Sequence, residues 1–314
     1  MAPKRKSTPI QNPLHSESSS SDPSVPSLHV QFCDKKAYQD FSENFSKCDI
    51  HPKHHVILSN FADTSLPDVI HTWGWESLCK IPLRCPTVFI QEFYSNMHGI
   101  DTSVPKFVTT FWGTHIVVTP DLISEILHVS RVEYPDYPRC QCLRTVSKDA
   151  LQSHFYKTPS IWGKSQNTTC SGFAKGPRFL NMVMTFVLTP LSHYNFITEP
   201  LAWFLLSLLE DLSIDFPSHF ILSLIDVYRD TATGDKLIFP SAITQILHHF
   251  SILDSPFYTT MGAISVAFVR RSEAQLRQKW PWTETTDSSA PTIPSTFASS
   301  SASGVSLKAI MAQL

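Results

Sequence analysis

Glycine and charged residues are scarce in this sequence. Only 9 of the 314 residues are glycine, which disfavours the glycine-rich loops that hold phosphate groups. Charged residues make up 17% of the chain, and the net charge is −2 at pH 7. This composition excludes a protein whose whole surface binds nucleic acid or an anionic membrane, although it does not exclude a local basic patch.

The sequence also lacks a long uninterrupted apolar run. Residues 179–198 carry no formal charge and approach the length that spans a bilayer. Because Asn181, Pro190, His193 and Asn195 interrupt this stretch, we predict a buried core helix and no membrane span. The basic start of the chain is not followed by the apolar run of a signal peptide. We therefore expect an intracellular protein of the nucleus or cytoplasm that is not secreted.

The seven cysteines are odd in number and scattered along the chain. This pattern is typical of reduced, mostly buried thiols in an intracellular protein. Cys140 and Cys142 resemble half of a zinc clip, but no second pair follows at a zinc-binding spacing. The sequence therefore predicts no metal site and no cofactor.

Two motifs resemble parts of enzymes. Residues 162–165 end like a phosphate-binding loop, but Thr158 stands where that motif requires glycine. Asp40 and Glu76 have the spacing of a transposase or integrase acid pair. With 17 Asp and 10 Glu in the chain, however, one such pair arises by chance about half the time. We predict no catalytic residues and no enzymatic activity. A Ser/His/Asp or Cys/His site assembled from distant residues stays open.

The chain has two clusters of histidines and two clusters of basic residues, and none of them matches a catalytic or metal-binding motif. The histidines lack the glutamate of a zinc-protease helix. The second basic cluster is expected to be a solvated helix end, with nucleic-acid contact as the alternative. The histidines are His51, His54, His55, His248 and His249; the basic residues are Lys4, Arg5 and Lys6, a possible nuclear-import patch, and Arg270, Arg271, Arg277 and Lys279.

Composition divides the chain into four parts. Residues 1–34 are rich in serine and proline and are predicted to be a disordered tail. Residues 35–280 have globular composition, and residues 281–303 form a second polar tract, predicted to be a disordered linker. Residues 304–314 have apolar residues at helical spacing and are predicted to begin a short helix.

Hydrophobic spacing within residues 35–280 predicts a mainly α fold with a minor β component. Thr119 and Pro120 form a typical helix start, and prolines separate four further amphipathic segments near 180–188, 201–212, 221–228 and 240–250. We expect these four to pack as antiparallel neighbours in a bundle-like domain. The β-forming residues around Gly113 predict a small hairpin near 106–119.

The helical spacing also predicts which side chains share one core. The apolar residues that recur at helical intervals in the four segments should face each other and be buried. They are Leu180, Val183, Phe204, Leu205, Leu208, Leu224, Ile225, Ile246 and Leu247.

The order of several short motifs carries a family resemblance over about residues 55–255. The motifs are Gly74-Trp75-Glu76-Ser77-Leu78, Glu92-Phe93-Tyr94-Ser95-Asn96-Met97, Gly113-Thr114-His115-Ile116-Val117-Val118-Thr119-Pro120, Gly176-Pro177-Arg178-Phe179-Leu180-Asn181 and Leu237-Ile238-Phe239-Pro240-Ser241-Ala242-Ile243. Together they resemble the plant transposon protein family, whose closer members are called envelope-like proteins of plant LTR retrotransposons. Relatives usually have arginine before the hairpin glycine, where this chain has Trp112.

The resemblance implies a mainly helical fold with a small β element, and it implies no catalytic residues. It also implies that the terminal helix continues in relatives as a coiled coil through which the protein would self-associate. We therefore expect a retrotransposon-derived, non-enzymatic interaction or assembly protein with an unknown protein partner. One alternative is a Gag-like capsid or nucleic-acid-binding protein, and another is a degenerate transposase or integrase-type enzyme.

Overall fold

The computed structural model describes residues 32–62, 66–84, 86–139, 147–158, 162, 167–190, 195–230, 236–253, 257–258 and 263–271. All of them fall within one compact unit, Gln31–Leu314. Several predictions concern positions outside the described residues. These are residues 1–31 of the predicted tail with the import patch Lys4, Arg5 and Lys6, the half clip Cys140 and Cys142, residues 163–165, Arg277 and Lys279, the linker 281–303 and the terminal helix 304–314.

The described residues are mainly helical, as the sequence predicts. The α-helices are α1 (Lys35–Glu43), α2 (Leu66–Thr72), α3 (Glu76–Cys79), α4 (Thr87–Ser95), α5 (Pro120–Leu127), α6 (Lys148–Ser153), α7 (Lys175–Val183), α8 (Glu199–Leu209), α9 (Phe216–Arg229) and α10 (Pro240–His249). Short 3₁₀ turns span Phe45–Lys47, Leu58–Phe61 and Cys170–Gly172, and a further helical turn spans 266–271.

Strands are short and lie in small sheets. They are β1 (His55–Val56), β2 (Leu83–Arg84), β3 (His98–Asp101), β4 (Lys106–Phe111), β5 (Thr114–Val118), β6 (Asn167–Thr169), β7 (Phe196–Thr198), β8 (Phe257–Tyr258) and β9 (Ala263–Ile264). Strands β3, β4 and β5 form an antiparallel sheet in that order. The other sheets pair β1 with β9, β2 with β8 and β6 with β7.

The predicted hairpin is confirmed and gains a third strand. Phe111 pairs with Thr114 across a two-residue turn in which Trp112 and Gly113 have φ of 47° and 79°. Two successive positive φ angles match the right-handed twist of the flanking strands, and glycine adopts such an angle without steric cost. The sequence did not indicate β3, because its four residues are too few to show an alternating pattern.

The predicted helix starts are also confirmed. Thr119 accepts a hydrogen bond from the backbone N–H of Leu122 at 3.3 Å, and Pro120 occupies the first turn of α5. Proline also stands in the first turn of α8, α9 and α10, where its missing N–H costs nothing. The chain after α7 differs from an ideal helix, since Met184–Leu188 forms a π turn before Thr189 ends the segment.

All nine side chains predicted to form the shared core are buried, each with at most 1% of its surface exposed. They belong to one continuous hydrophobic cluster. Burial of each Leu- or Ile-sized side chain favours folding by about 1.5–3 kcal/mol. The core therefore draws on α7, α8, α9 and α10, as the spacing predicts.

The packing partners of these helices differ from the expected order. Helix α9 packs mainly on α5, and α10 packs on α5, α4 and β2. The four segments are therefore not a simple series of antiparallel neighbours. The reason is that α4 and α5 are themselves strongly apolar on one face and compete for the same core, with Ile90, Phe93 and Ile123 all fully buried.

Candidate binding site around the strap

A ten-residue connection, residues 130–139, follows α5 and crosses the loop 211–215 that leads into α9. We call these residues the strap. The backbone N–H of Tyr137 donates to Ser213 O at 3.1 Å, and Tyr137 forms a parallel bridge with Ile214. Asp136 and Ser213 bond reciprocally, since the N–H of each donates to the side chain of the other at 3.0 Å. The strap is thus held along its middle by paired backbone and side-chain bonds.

An ion pair fixes the beginning of the strap. Arg131 Nε donates to Asp215 Oδ1 at 3.0 Å, and the N–H of Val132 donates to the same oxygen at 3.2 Å. Asp215 is only 5% exposed on its side chain, and Arg131 also contacts the exposed Asp121. A buried carboxylate requires such partners, because burying an unpaired charge is costly.

A pocket of about 420 Å³ opens on one side of the strap. We call it the His219 pocket. Prolines and leucines supply apolar parts of its wall, and residues with hydroxyl groups also line it. The prolines and leucines are Pro105, Pro135, Pro138, Pro200, Leu201 and Leu222; the hydroxyl residues are Thr102, Ser103, Thr189, Ser218, Ser223 and Tyr137.

His219 lies at the base of this pocket on α9. Its Nε2 is 2.9 Å from Thr189 Oγ1, and its ring stacks on Phe204 with centroids 4.4 Å apart and planes at 10°. Tyr137 packs against the same histidine edge-on at 6.0 Å. Burial among these rings lowers the pKa of His219 to about 4, so the imidazole is neutral near pH 7. Burial, with Asp226 adding to it, raises the pKa of Tyr137 to about 12.

The remaining acids and hydroxyls of the pocket are already engaged or solvated. Ser218 Oγ donates to Asp215 Oδ2 at 2.5 Å. Asp226 is exposed at the rim, where partial burial raises its pKa and the nearby charge of Arg229 opposes the shift. Ser218 and His219 are neighbours in sequence, yet their polar atoms bond to different partners.

A second cavity of about 490 Å³ lies at the other edge of the strap. We call it the tryptophan cavity. It is bounded by residues 71–75, the strap, and residues 211–214. Trp73 and Trp75 form one wall, with ring centroids 4.8 Å apart at 52°. Asp136 and Asp211 also line the cavity. The strap therefore borders two cavities of different chemistry.

The two acids singled out in the sequence pair with different neighbours. Asp40 Oδ2 lies 2.8 Å from Lys36 Nζ on helix α1, whereas Glu76 Oε1 lies 2.5 Å from His71 Nδ1 at the start of α3. Each carboxylate has its own local partner. Over the described ranges, no group of three or more His, Cys, Asp or Glu side chains is arranged to hold a metal ion.

The histidines of the two dense stretches lie in different environments. His51 is buried, and its backbone N–H donates to Leu237 O at 2.7 Å. The ring of His54 packs on that of Phe186, with centroids 4.4 Å apart. His249 is exposed at the end of α10, and His248 is partly buried. Four cysteines fall in the described residues and are free thiols, of which Cys48, Cys79 and Cys170 are buried and Cys33 is exposed.

Of the residues predicted to form a basic helix end, Arg270 and Arg271 are described, and both are exposed at the end of the turn 266–271. The stretch tested for membrane insertion, residues 179–198, contains the end of α7, the π turn and β7. In the part of the chain that the structure describes, no helix combines the length and the apolar character needed to cross a bilayer.

The strap and its cavities were missed by the sequence analysis. Residues 130–139 show neither helical nor alternating spacing, so periodicity gives no signal there. The available signal was composition, since Tyr134, Pro135, Tyr137 and Pro138 concentrate aromatic and proline residues in a short loop. Aromatic residues in a loop between two predicted helices indicate that the loop packs on something.

Removing the Asp215 carboxylate should release the beginning of the strap. We expect Asp215→Ala to lower the free energy of unfolding by about 2 kcal/mol, because Arg131 loses its buried partner. The loss is below that of a fully buried pair, since one third of the Arg131 side chain is exposed and Asp121 stays beside it. Urea denaturation measures the change, and amide hydrogen exchange at Val132 should accelerate.

The matched control is Asp121→Ala, which removes the other carboxylate of the same arginine. The Asp121 side chain is 86% exposed, so its loss should change stability by less than about 0.5 kcal/mol. Equal effects of the two substitutions would contradict the assignment of Asp215 as the anchor of the strap.

Comparison with known proteins gives one family. A family model described as "Putative plant retrotransposon-related domain" matches residues 71–253. The matched range includes the residues that line both cavities, the strap and helix α10. No curated protein and no solved structure matches the chain.

Proposed function

The chain belongs to the plant retrotransposon-related domain family and is thus transposon-derived; from that premise we propose that it is a non-enzymatic interaction or assembly protein of a retrotransposon. The proposed binding site is the His219 pocket, and the proposed ligand is an extended segment of a protein partner. Proline, leucine and tyrosine surfaces would accept its apolar side chains. The serine hydroxyl oxygens, whose protons are donated elsewhere, would accept hydrogen bonds from its backbone N–H groups.

One observation carries the proposal of binding without catalysis. The residues of the pocket that could form a nucleophile and a base are joined to other groups. Ser218 donates to Asp215, Asp215 pairs with Arg131, and His219 bonds to Thr189. The base beside Ser218 is therefore a carboxylate already held in an ion pair by Arg131, and the His219 imidazole that could activate a serine bonds to Thr189 instead. The engaged groups hold the pocket in one shape, which favours binding of a partner.

The charges of the pocket support a protein partner over RNA. Arg131 and Arg139 line it together with Glu133, Asp215 and Asp226, so acids outnumber bases. Phosphate groups of a nucleic acid would be repelled by this excess. A Gag-like role in RNA binding would therefore require another surface. RNA binding through such a surface would be recognised by an affinity that falls steeply as the salt concentration rises.

The test is loss of partner binding when the pocket is altered. Leu222→Glu places a carboxylate in the apolar wall, and Ile81→Glu places one at a 52% exposed position outside the pocket as a matched control. Proximity labelling in plant cells with the full chain should recover proteins that wild type and Ile81→Glu share and Leu222→Glu loses. Pairwise binding of the purified proteins should lose at least about tenfold in affinity with Leu222→Glu.

Two results would overturn the proposal. Equal binding by the wild type and Leu222→Glu would show that the pocket is not the interface. Hydrolytic turnover of an ester or peptide substrate by the purified chain, abolished by Ser218→Ala, would show that the pocket is catalytic. Circular dichroism of each variant establishes that it is folded before either result is interpreted.

A further inference from the structure

The tryptophan cavity has a rigid aromatic wall. Gly74 lies between the two tryptophans with φ of 67°, a conformation that glycine adopts readily. The Trp75 ring is only 4% exposed and packs on Phe216 with centroids 5.7 Å apart. Trp73 Nε1 donates to Asp211 Oδ1 at 3.0 Å, which fixes the orientation of the outer ring. Because both rings are already fixed, binding a ligand would cost little side-chain conformational entropy.

The cavity also carries negative charge that the described residues do not neutralise. Asp136 accepts from the N–H and the hydroxyl of Ser213, and Asp211 accepts from the indole of Trp73. All of these donors are neutral. Among the described residues that line the cavity there is no lysine or arginine, and His71 is directed to Glu76 at 2.5 Å. Neither aspartate forms an ion pair with a described residue.

Aromatic faces and carboxylates together select for cations. The face of an indole ring attracts an ammonium group, and tryptophan is the strongest of the aromatic residues in this respect. Carboxylate oxygens accept N–H bonds from the same group. A cavity of about 490 Å³ also has room for the methylene stem of a lysine, which would pack along the rings.

We propose that the tryptophan cavity binds the side-chain ammonium of a lysine in a basic peptide segment. The partly exposed Trp73 would contact the methylenes and the cation with the buried Trp75 behind it, while Asp136 and Asp211 would supply the opposing charge. A phosphate-bearing ligand is disfavoured by the same carboxylates. This site is separate from the His219 pocket and does not depend on the function proposed for that pocket.

The experiment measures binding of a lysine peptide to the full chain. Isothermal titration uses a short peptide of alternating lysine and glycine, and the comparison peptide has every lysine acetylated. We expect saturable binding of the first peptide that weakens as salt is raised, and no saturable binding of the second. The acetyl group removes the positive charge but keeps the stem, so the difference isolates the ammonium.

Two variants in the cavity and one control outside it test whether the peptide binds there. Asp211→Asn keeps an oxygen for the Trp73 indole but removes a charge, and it should weaken binding about tenfold. Trp73→Ala removes the outer ring and should weaken binding by more than about tenfold. Asp49→Asn makes the same change of charge at an exposed carboxylate outside the cavity and should leave the affinity unchanged.

The proposal is overturned if the acetylated peptide binds as tightly as the lysine peptide. It is also overturned if Asp49→Asn weakens binding as much as Asp211→Asn, since that would indicate a general effect of net charge. Should Trp73→Ala fail to fold, the comparison of the two Asp→Asn variants decides. A failure here would leave the His219 pocket untouched, because Leu222→Glu tests that pocket with a different ligand.

Discussion

Replacing Phe220 with alanine should lower the free energy of unfolding by about 3–5 kcal/mol. Phe220 lies on α9 with 0% of its surface exposed. Its ring centroid is 4.4 Å from that of Phe239 and 6.4 Å from that of Phe216. The substitution removes buried apolar surface and leaves a cavity between helices that cannot close completely. Urea denaturation followed by circular dichroism measures the loss.

The control for this prediction is Phe196→Ala. Phe196 is 53% exposed on strand β7, so the same chemical change should cost less than about 1 kcal/mol there. A large loss at both positions would indicate that phenylalanine stabilises the chain in some way other than burial. A small loss at Phe220 would mean that α9 does not pack as described.

The helical core was predictable because its signal is local. The spacing of Leu224 and Ile225, or of Ile246 and Leu247, follows from the period of one helix, and hydrophobic residues on one face must be buried. Proline at the start of a helix adds a second local signal. The hairpin was also predictable, since Gly113 lies between two β-forming runs.

The candidate site was not predictable, because it depends on contacts between distant residues. Arg131 and Asp215 are 84 positions apart, and Trp73 and Asp211 are 138 positions apart. No spacing rule in one sequence relates such pairs. The packing order of α9 and α10 was missed for a similar reason. Several helices here have apolar faces of comparable strength, and only the assembled core selects among their possible partners.

The lowered pKa of His219 predicts a second large effect, a dependence of the free energy of unfolding on pH. Burial lowers this pKa from 6.5 to about 4 in the folded protein. Between these values the unfolded chain binds a proton that the folded chain does not, so acid favours unfolding. The contribution is fully present above about pH 6.5 and is lost as the pH falls toward about 4, by about 2–3 kcal/mol in total.

The variant His219→Gln tests this, since glutamine can still bond to Thr189 but does not titrate in this range. Between about pH 7 and about pH 4, the unfolding free energy of the wild type should fall by about 2–3 kcal/mol more than that of the variant. His249→Gln, at an exposed histidine on α10, should keep the wild-type slope. Urea denaturation at a series of pH values gives both slopes. Parallel curves for the wild type and His219→Gln would show that the folded protein protonates this imidazole as readily as the unfolded chain does, and the apolar enclosure by Phe204 and Tyr137 would then be wrong.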